Sequence, residues 1–329
     1  MPTVLLQGRD TDEKKSCLAR HLTGDWRYLT WEAARDDAAA FAARAVQADV
    51  IVGGRFPAKP WPDLPRLKLV QITWTGHDAL DPSDFPGGVP VCNCYGHEAA
   101  IAEYVLLAML EWKIGLRALD RRFRSKGWDG RDPGNSHRHG ELGGSVLGIV
   151  GYGPIGREIA KRAKAFGVTV RAVRRRPAAR PPELDRLGGA AELDDLLAGS
   201  DFVVLACALN DSTRGLIDAR RLALMKPDAV LINVARGAVV SEAALFEALK
   251  ARRIGGAVID VWYNYLQADK PPVWPCNHPF QDLDNVILSA HECGATDGQE
   301  DRRWQDIAAN LALVAGGQAP RHVIFTGTG

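Results

Sequence analysis

No stretch of this sequence is long and apolar enough to read as a membrane span. The longest apolar-rich segment, IAEYVLLAML at 101–110, is short and carries Glu103. Nor does the start, MPTVLLQGRD, have the basic region and apolar run of a secretory leader. Cysteines are few and scattered: Cys17, Cys92, Cys94, Cys207, Cys276 and Cys293 form no CxxC pair and no second cluster that would complete a zinc site. Reduced, mostly buried thiols in a cytoplasmic protein are expected, with no metal. An excess of one charge is also lacking. With 41 Lys and Arg against 40 Asp and Glu, bulk electrostatics favours neither nucleic acid nor a membrane surface as partner. Repeats, heptads and low-complexity runs are missing, and only RPAARPPELDRLGG at 176–189 is proline-rich, read as a surface connection. What remains is a chain of 329 residues, 46% hydrophobic, with room for two domains of ordinary size.

Short apolar runs and helical stretches alternate along it. VLLQ at 4–7, DVIVGG at 49–54, LKLVQIT at 67–73 and VPVCN at 89–93 suit strands, and the alanine-rich EAARDDAAAFAARAV at 32–46 suits a helix. A long helical pattern runs from about His97 to Phe123, ended by the polar stretch 127–141, an ordered loop or arm. From SVLGIVG onward the alternation becomes regular, through VTVRAV, DFVVLAC, AVLINVA, GGAVIDVW and NVILSAH, with helices between. That order predicts a parallel sheet covered on both faces. One more helix, about Gln299 to Ala315, precedes a short tail.

The first regular unit reads VLGIVGYGPIGREIAKRAKAFGVTVRAVRRR. Gly151, Gly153 and Gly156 form GxGxxG between a strand and a helix, with Tyr152, Pro154 and Ile155 filling the turn. The first glycine permits a tight bend and the second lets backbone approach a pyrophosphate. The third packs helix on strand, and the helix N-terminus offers N–H groups to the anion. The bland alternative is a glycine-rich turn without a ligand. The second strand ends 23 residues after Gly151, where a ribose-binding acid would repel a 2′-phosphate; here stand Arg174, Arg175 and Arg176. Guanidinium pairs with phosphate oxygens, so NADP(H) is favoured, with NAD(H) left open and a solvated basic loop as the plain alternative.

Further stretches, CNCYGHEAAIAEYVLLAML, LACALNDSTRGLI, LMKPDAVLINVARGAVVSEAAL, GGAVIDVW and NVILSAHECGAT, line up with the glycine turn. Together they make the chain from about Leu67 to Val323 resemble the D-isomer-specific 2-hydroxyacid dehydrogenase family. The resemblance implies two doubly wound parallel-sheet α/β domains. A Rossmann cofactor domain (98–291) would be inserted into a flavodoxin-like substrate domain (1–97 plus 292–329), with the active site in the cleft. It also implies a homodimer, a nicotinamide dinucleotide without a metal, and a small 2-keto or 2-hydroxy acid as substrate. Arg236 in NVARG matches the arginine that grips the substrate carboxylate and polarises its carbonyl, and His291 in SAHECG matches the general acid/base. Asp260 in VIDVW matches an aspartate near the nicotinamide carboxamide, and Ala208, Thr213, Val234 and Ala235 match cofactor-lining positions. TWTGHD at 73–78 matches the loop whose amides bind the substrate carboxylate, placing Trp74, Thr75 and Gly76 at the substrate. Asn93 and His97, near the hinge, are weak site candidates, with a structural role the favoured reading.

One departure stands out. In DVWYNYLQADK, Tyr265 replaces the family glutamate that raises the histidine pKa, and Leu266 the proline after it. A phenol can orient His291 by a hydrogen bond but cannot stabilise imidazolium by charge, so the ring is a weaker acid–base at neutral pH or borrows a carboxylate such as Asp269 or Glu292. Trp74, Trp262, Tyr263 and Tyr265 hint at a pocket for a bulkier acid, although aromatics at strand ends more often pack. The favoured function is reduction of a glyoxylate- or hydroxypyruvate-like acid by NADPH. A formate- or phosphite-type oxidising enzyme, or a catalytically weak NAD(P)-sensing protein, are the alternatives.

Overall fold

The computed structural model describes residues 1–54, 56, 60–128, 138–176, 179–266, 271 and 274–329. They divide into two compact units, Met1–His97 with Ala295–Gly329, and Glu98–Gly294. The chain enters the first unit through β1 (Thr3–Gln7), α1 (Thr11–Ala19), β2 (Arg27–Trp31), α2 (Ala38–Ala45), β3 (Val50–Val52), β4 (Leu69–Gln71) and β5 (Pro90–Cys92). The second unit follows with α3 (Glu98–Ile114), α4 (Leu116–Lys126), β6 (Val146–Val150), α5 (Pro154–Ala165), β7 (Thr169–Val173), β8 (Arg186–Gly188) and α6 (Leu193–Gly199). It continues through β9 (Phe202–Leu205), α7 (Ala219–Leu222), β10 (Val230–Asn233), α8 (Glu242–Lys250), β11 (Gly256–Ile259) and β12 (Val286–Leu288). The chain then returns to the first unit with α9 (Asp297–Ala315) and β13 (Val323–Thr326).

The second sheet runs β12-β11-β10-β9-β6-β7-β8, with every pair parallel. This is the doubly wound order, reversing direction between β6 and β9, and such sheets take ligands where the order reverses, beyond the carboxyl ends of the strands. Its central strands β9, β10 and β11 are buried on both faces. Val203, Leu205 and Leu231 enter one apolar cluster, while Phe202, Val204 and Ile232 enter the other. The first sheet runs β13-β5-β4-β3-β1-β2, parallel except for the antiparallel β13. Its parallel part has the flavodoxin-like order, and Val4 and Leu6 face one cluster while Leu5 faces the other. The mixed α/β architecture with two parallel-dominated sheets follows the sequence expectation.

Several local expectations need correction. The proline-rich 176–189 segment is more than a connection, since Arg186–Gly188 pairs with β7 as a three-residue edge strand; its brevity hides it. The helix expected over 32–46 covers only Ala38–Ala45. Asp36 accepts the Glu32 N–H and Asp37 caps the helix by accepting from Ala40, so the preceding residues form a turn. The long pattern from His97 is two helices, broken where Gly115 turns left-handed at φ 67°. Residues 129–137 of the expected loop or arm lie outside the described residues. Among those described, no helix is long and apolar enough to cross a membrane.

Candidate active site

All strands of the second sheet point the same way, so the segments leaving them gather at one edge. Gly151 follows β6, Arg174 follows β7, Ala206 to Ala208 follow β9, Val234 to Arg236 follow β10, Asp260 to Tyr265 follow β11 and His291 follows β12. The three glycines of the turn have distinct surroundings. At Gly151 (φ 98°) a Cβ would sit 2.7 Å from the Cys207 Cα, and at Gly156 it would sit 2.6 Å from the Gly151 carbonyl. At Gly153 it would meet nothing within 4 Å. The outer two therefore serve close packing, while the middle one faces space in which backbone can approach a ligand. Gly153 is also the N-cap of α5 and offers no side-chain cap, leaving the first helical N–H groups available to an anion.

Tyr152 does not face that space. It is 4% exposed, lies in the apolar core, and donates its hydroxyl proton to Glu183. Burial, then the Glu183 carboxylate, push the phenol pKa up, and the same bond holds Glu183 below the usual carboxylate range. Only the backbone of Tyr152 is left for a ligand. Beyond β7, Arg174 is half-buried and Arg175 and Arg176 are exposed. The Arg174 N–H donates to the Gly188 carbonyl, and the Gly151 N–H donates to Val173, which ties the arginine end of β7 to the glycine turn. Thr213 Oγ1 donates to the Ala208 carbonyl at 2.8 Å, so those two expected positions share one loop. Val234 and Ala235 are buried.

Arg236 opens the turn after β10, in extended backbone and half-buried, with its Nη1 donating to the Ala235 carbonyl at 2.8 Å. Asn233 shapes that turn, donating to the Arg236 carbonyl (3.0 Å) and accepting from the Ala235 N–H (3.1 Å). Gly237 is a residue that sequence reasoning missed. A Cβ there would lie 2.3 Å from the Trp262 carbonyl oxygen, so its lack of a side chain lets the arginine turn abut the segment after β11.

His291 has φ 60°, a left-handed conformation that costs a residue other than glycine on the order of 1–3 kcal/mol unless its surroundings impose it. Asp260 imposes it. Its carboxylate is fully buried and Oδ1 accepts from Ser289 Oγ (2.6 Å), the Glu292 N–H (2.9 Å) and the Cys293 N–H (3.2 Å). Ser289 spends its one proton on Asp260, so it accepts from Tyr104, whose hydroxyl lies 2.6 Å away. Burial and then the Asp260 carboxylate push the Cys293 thiol pKa up. The aspartate assigned from the resemblance to the nicotinamide thus also braces the loop of the histidine.

Tyr265 Oη lies 3.0 Å from His291 Nδ1 and accepts the Trp262 N–H at 3.3 Å. The structure therefore brings the two residues of the departure into contact. Glu292, offered as a substitute carboxylate, donates its backbone N–H to Asp260; Asp269 lies outside the described residues. Trp262 is a packing residue rather than a pocket wall. It is 8% exposed, and its indole N–H donates to the Ser289 carbonyl at 2.8 Å. Tyr263 packs against the same core, its phenol pKa pushed up chiefly by burial.

In the first unit Trp74, Thr75 and Gly76 follow β4 and are partly exposed. The Trp74 ring packs on the core at Gly54, where a Cβ would be 2.3 Å from the ring. Thr75 Oγ1 donates to the Cys94 carbonyl at 2.6 Å and lies 3.3 Å from His97 Nδ1, and Asn93 Nδ2 donates to the Thr75 carbonyl at 2.7 Å. Among the described residues no cluster of three His, Cys, Asp or Glu side chains could hold a metal.

The chain is similar to known proteins. The model of the "D-isomer specific 2-hydroxyacid dehydrogenase, NAD binding domain" matches residues 106–293. Glyoxylate reductase of Thermococcus onnurineus is 35% identical over 274 residues, which cover 81% of this chain and 78% of that protein. A D-isomer specific 2-hydroxyacid dehydrogenase from Xanthobacter autotrophicus Py2, solved in complex with NADPH and MES, matches with a TM-score of 0.79 at 26% identity over 99% of both chains. An NADPH-dependent glyoxylate/hydroxypyruvate reductase from Sinorhizobium meliloti, in complex with citrate, matches with a TM-score of 0.75 at 25% identity, again over 99% of both. With the model spanning more than half of its length, the chain belongs to the D-isomer specific 2-hydroxyacid dehydrogenase family.

Proposed function

We propose that this chain reduces small 2-keto acids of the glyoxylate and hydroxypyruvate type to D-2-hydroxy acids, with NADPH preferred and NADH accepted. The observation that carries the reading is the 3.0 Å contact between Tyr265 Oη and His291 Nδ1 on the same sheet edge as Arg236 and the glycine turn. The cofactor fits the residues present. Open space at Gly153, the uncapped start of α5 and the arginines after β7 suit a pyrophosphate and a 2′-phosphate. Bound reduced nicotinamide supplies a hydride to the keto carbon.

The remaining work falls to side chains. The Arg236 guanidinium holds the substrate carboxylate and stabilises negative charge developing on the carbonyl oxygen. Trp74, Thr75 and Gly76 supply loop amides to the carboxylate. The Trp262 backbone N–H occupies one lone pair of Tyr265 Oη, and the hydroxyl lies 3.0 Å from Nδ1 of His291. As imidazolium the ring carries a proton on each nitrogen: Nδ1–H donates to Tyr265 Oη, and Nε2 delivers its proton to the alkoxide oxygen, leaving neutral imidazole. In oxidation Nε2 takes it back.

The same reading makes the protein a cytoplasmic homodimer. The dimer's support is that α4 buries none of its residues among the described residues, while Leu107, Leu116, Phe123 and Trp128 are exposed apolar side chains of this region; a single-chain mass in light scattering contradicts it. The activity is tested by following NADPH oxidation over glyoxylate, hydroxypyruvate, pyruvate and bulkier 2-keto acids, with NADP reduction by formate and phosphite as controls. Turnover of the small keto acids is expected. Saturable NADPH binding with no turnover of any acid favours the sensing protein, and turnover of formate alone favours the oxidising enzyme.

A further inference from the structure

Taking residues 74–76 as the substrate loop of the proposed reaction, on which this inference rests, we propose that Asn93 is a positioning residue that aims the loop amides at the substrate carboxylate. Asn93 is 2% exposed and its Nδ2 donates to the Thr75 carbonyl at 2.7 Å. A peptide unit is planar and trans, so its C=O and the following N–H point in opposite directions. Holding the Thr75 carbonyl toward Asn93 therefore turns the Gly76 N–H away from the core. The Thr75 side chain is held as well, by its bond to the Cys94 carbonyl and its contact with His97 Nδ1.

Asn93 itself has little freedom. Its N–H donates to the His322 carbonyl at 3.2 Å and its own carbonyl accepts from Gln71 Nε2 at 2.9 Å. Gln71, fully buried, also donates to the Ile72 and Cys92 carbonyls, and its Oε1 accepts from Asn310 Nδ2 at 2.7 Å. A row of buried amides thus runs from α9 through the end of β4 to the loop, and its bonds restrict each side chain in it.

Asn93 breaks the pattern in one respect: its Oδ1 is buried with no hydrogen-bond partner among the described residues. A buried orphan acceptor destabilises a fold, and an apolar side chain of similar shape would avoid it. The donor half of the amide explains why an asparagine stands here, and that donor has one target, the Thr75 carbonyl.

The test combines two variants with one measurement on the unmodified enzyme. Asn93→Leu removes the donor, and Asn93→Asp keeps the shape while setting an acceptor against the Thr75 carbonyl. Both are expected to raise KM for glyoxylate about tenfold or more, with kcat within about threefold, because a small misplacement of a binding group costs that order in affinity. NADPH affinity, read by nicotinamide fluorescence, is expected to stay unchanged. Amide hydrogen exchange of the peptide containing 73–76 is followed with NADPH and the glyoxylate isostere oxamate. Protection of that peptide in the unmodified enzyme upholds the loop reading, and its absence removes that reading and this inference together. Protection together with an unchanged KM in both variants overturns the role of Asn93 alone. Parallel losses in kcat, KM and NADPH affinity, or failure of both variants to fold, assign Asn93 to the core and overturn it as well.

Discussion

The two sheets share a topological rule and differ in how they hold their functional edges. In the second unit each segment leaving the sheet carries its own marked residue: a glycine turn after β6, arginines after β7, Arg236 after β10, Asp260 after β11 and His291 after β12. In the first unit the comparable loop after β4 carries Trp74, Thr75 and Gly76, and its shape is imposed from elsewhere. The amide row that supports it joins Gln71 to Asn310, 239 residues away in sequence. In the second unit the supports come from neighbouring strand ends of the same sheet, such as Asp260 after β11 holding the turn after β12, whereas the loop after β4 is held from α9.

The comparison can be broken first at the arginine end of β7. Arg174→Glu is expected to lower the ratio of kcat/KM for NADPH over NADH about a hundredfold, since a carboxylate repels a 2′-phosphate and accepts from a ribose hydroxyl. An unchanged ratio would make the arginines a solvated loop. A smaller effect belongs to Tyr265. Tyr265→Phe removes the hydroxyl 3.0 Å from His291 Nδ1 and is expected to lower kcat about tenfold, within the range for disturbing general acid catalysis. Tyr265→Glu sets a carboxylate beside the ring and favours imidazolium, so the limb of the pH–rate profile set by the histidine moves to higher pH. No change in kcat for the first variant and no shift for the second would remove the phenol from the mechanism.

The smallest effect concerns the first unit. Glu32 accepts from the Thr11 N–H at 2.7 Å and Thr11 Oγ1 at 2.8 Å and pairs with Arg35. The Thr11 backbone bond, followed by its hydroxyl, lowers the Glu32 pKa to about 2. A carboxyl depressed in the folded state stabilises above its ordinary pKa near 4.5 and loses that contribution as pH falls toward 2. Glu32→Gln is therefore expected to lower the melting temperature by a few degrees at pH 7, with the gap to the unmodified protein narrowing below about pH 4.5. A gap constant from pH 7 to pH 3 contradicts this.

Much of the second sheet was legible because its strands are continuous apolar runs with turn residues between them. β8 was not, since three residues beside prolines carry no period. The break at Gly115 was hidden because apolar residues continue on both sides of it. In the first unit, RYLTW at 27–31 forms a strand that has no alternation of its own and pairs with β1. At the candidate site the residue types in GYGPIG, NVARG and SAHECG pointed to positions, but not to what holds them. That Asp260 would brace the left-handed turn of His291, that Gly237 would admit the Trp262 carbonyl, and that Tyr152 would turn inward to Glu183 are contacts between segments far apart. A buried polar residue inside an apolar strand, such as Gln71, was the signal that could have exposed the amide row.

The central claim is that Arg236 and His291 act on one carbonyl from the same sheet edge, and a double-mutant cycle on glyoxylate reduction tests it most directly. Arg236→Gln and His291→Gln are each expected to lower kcat/KM about a thousandfold, and the double variant to fall within about tenfold of the worse single. Losses that multiply in full, or single variants that retain most of their activity, would contradict it.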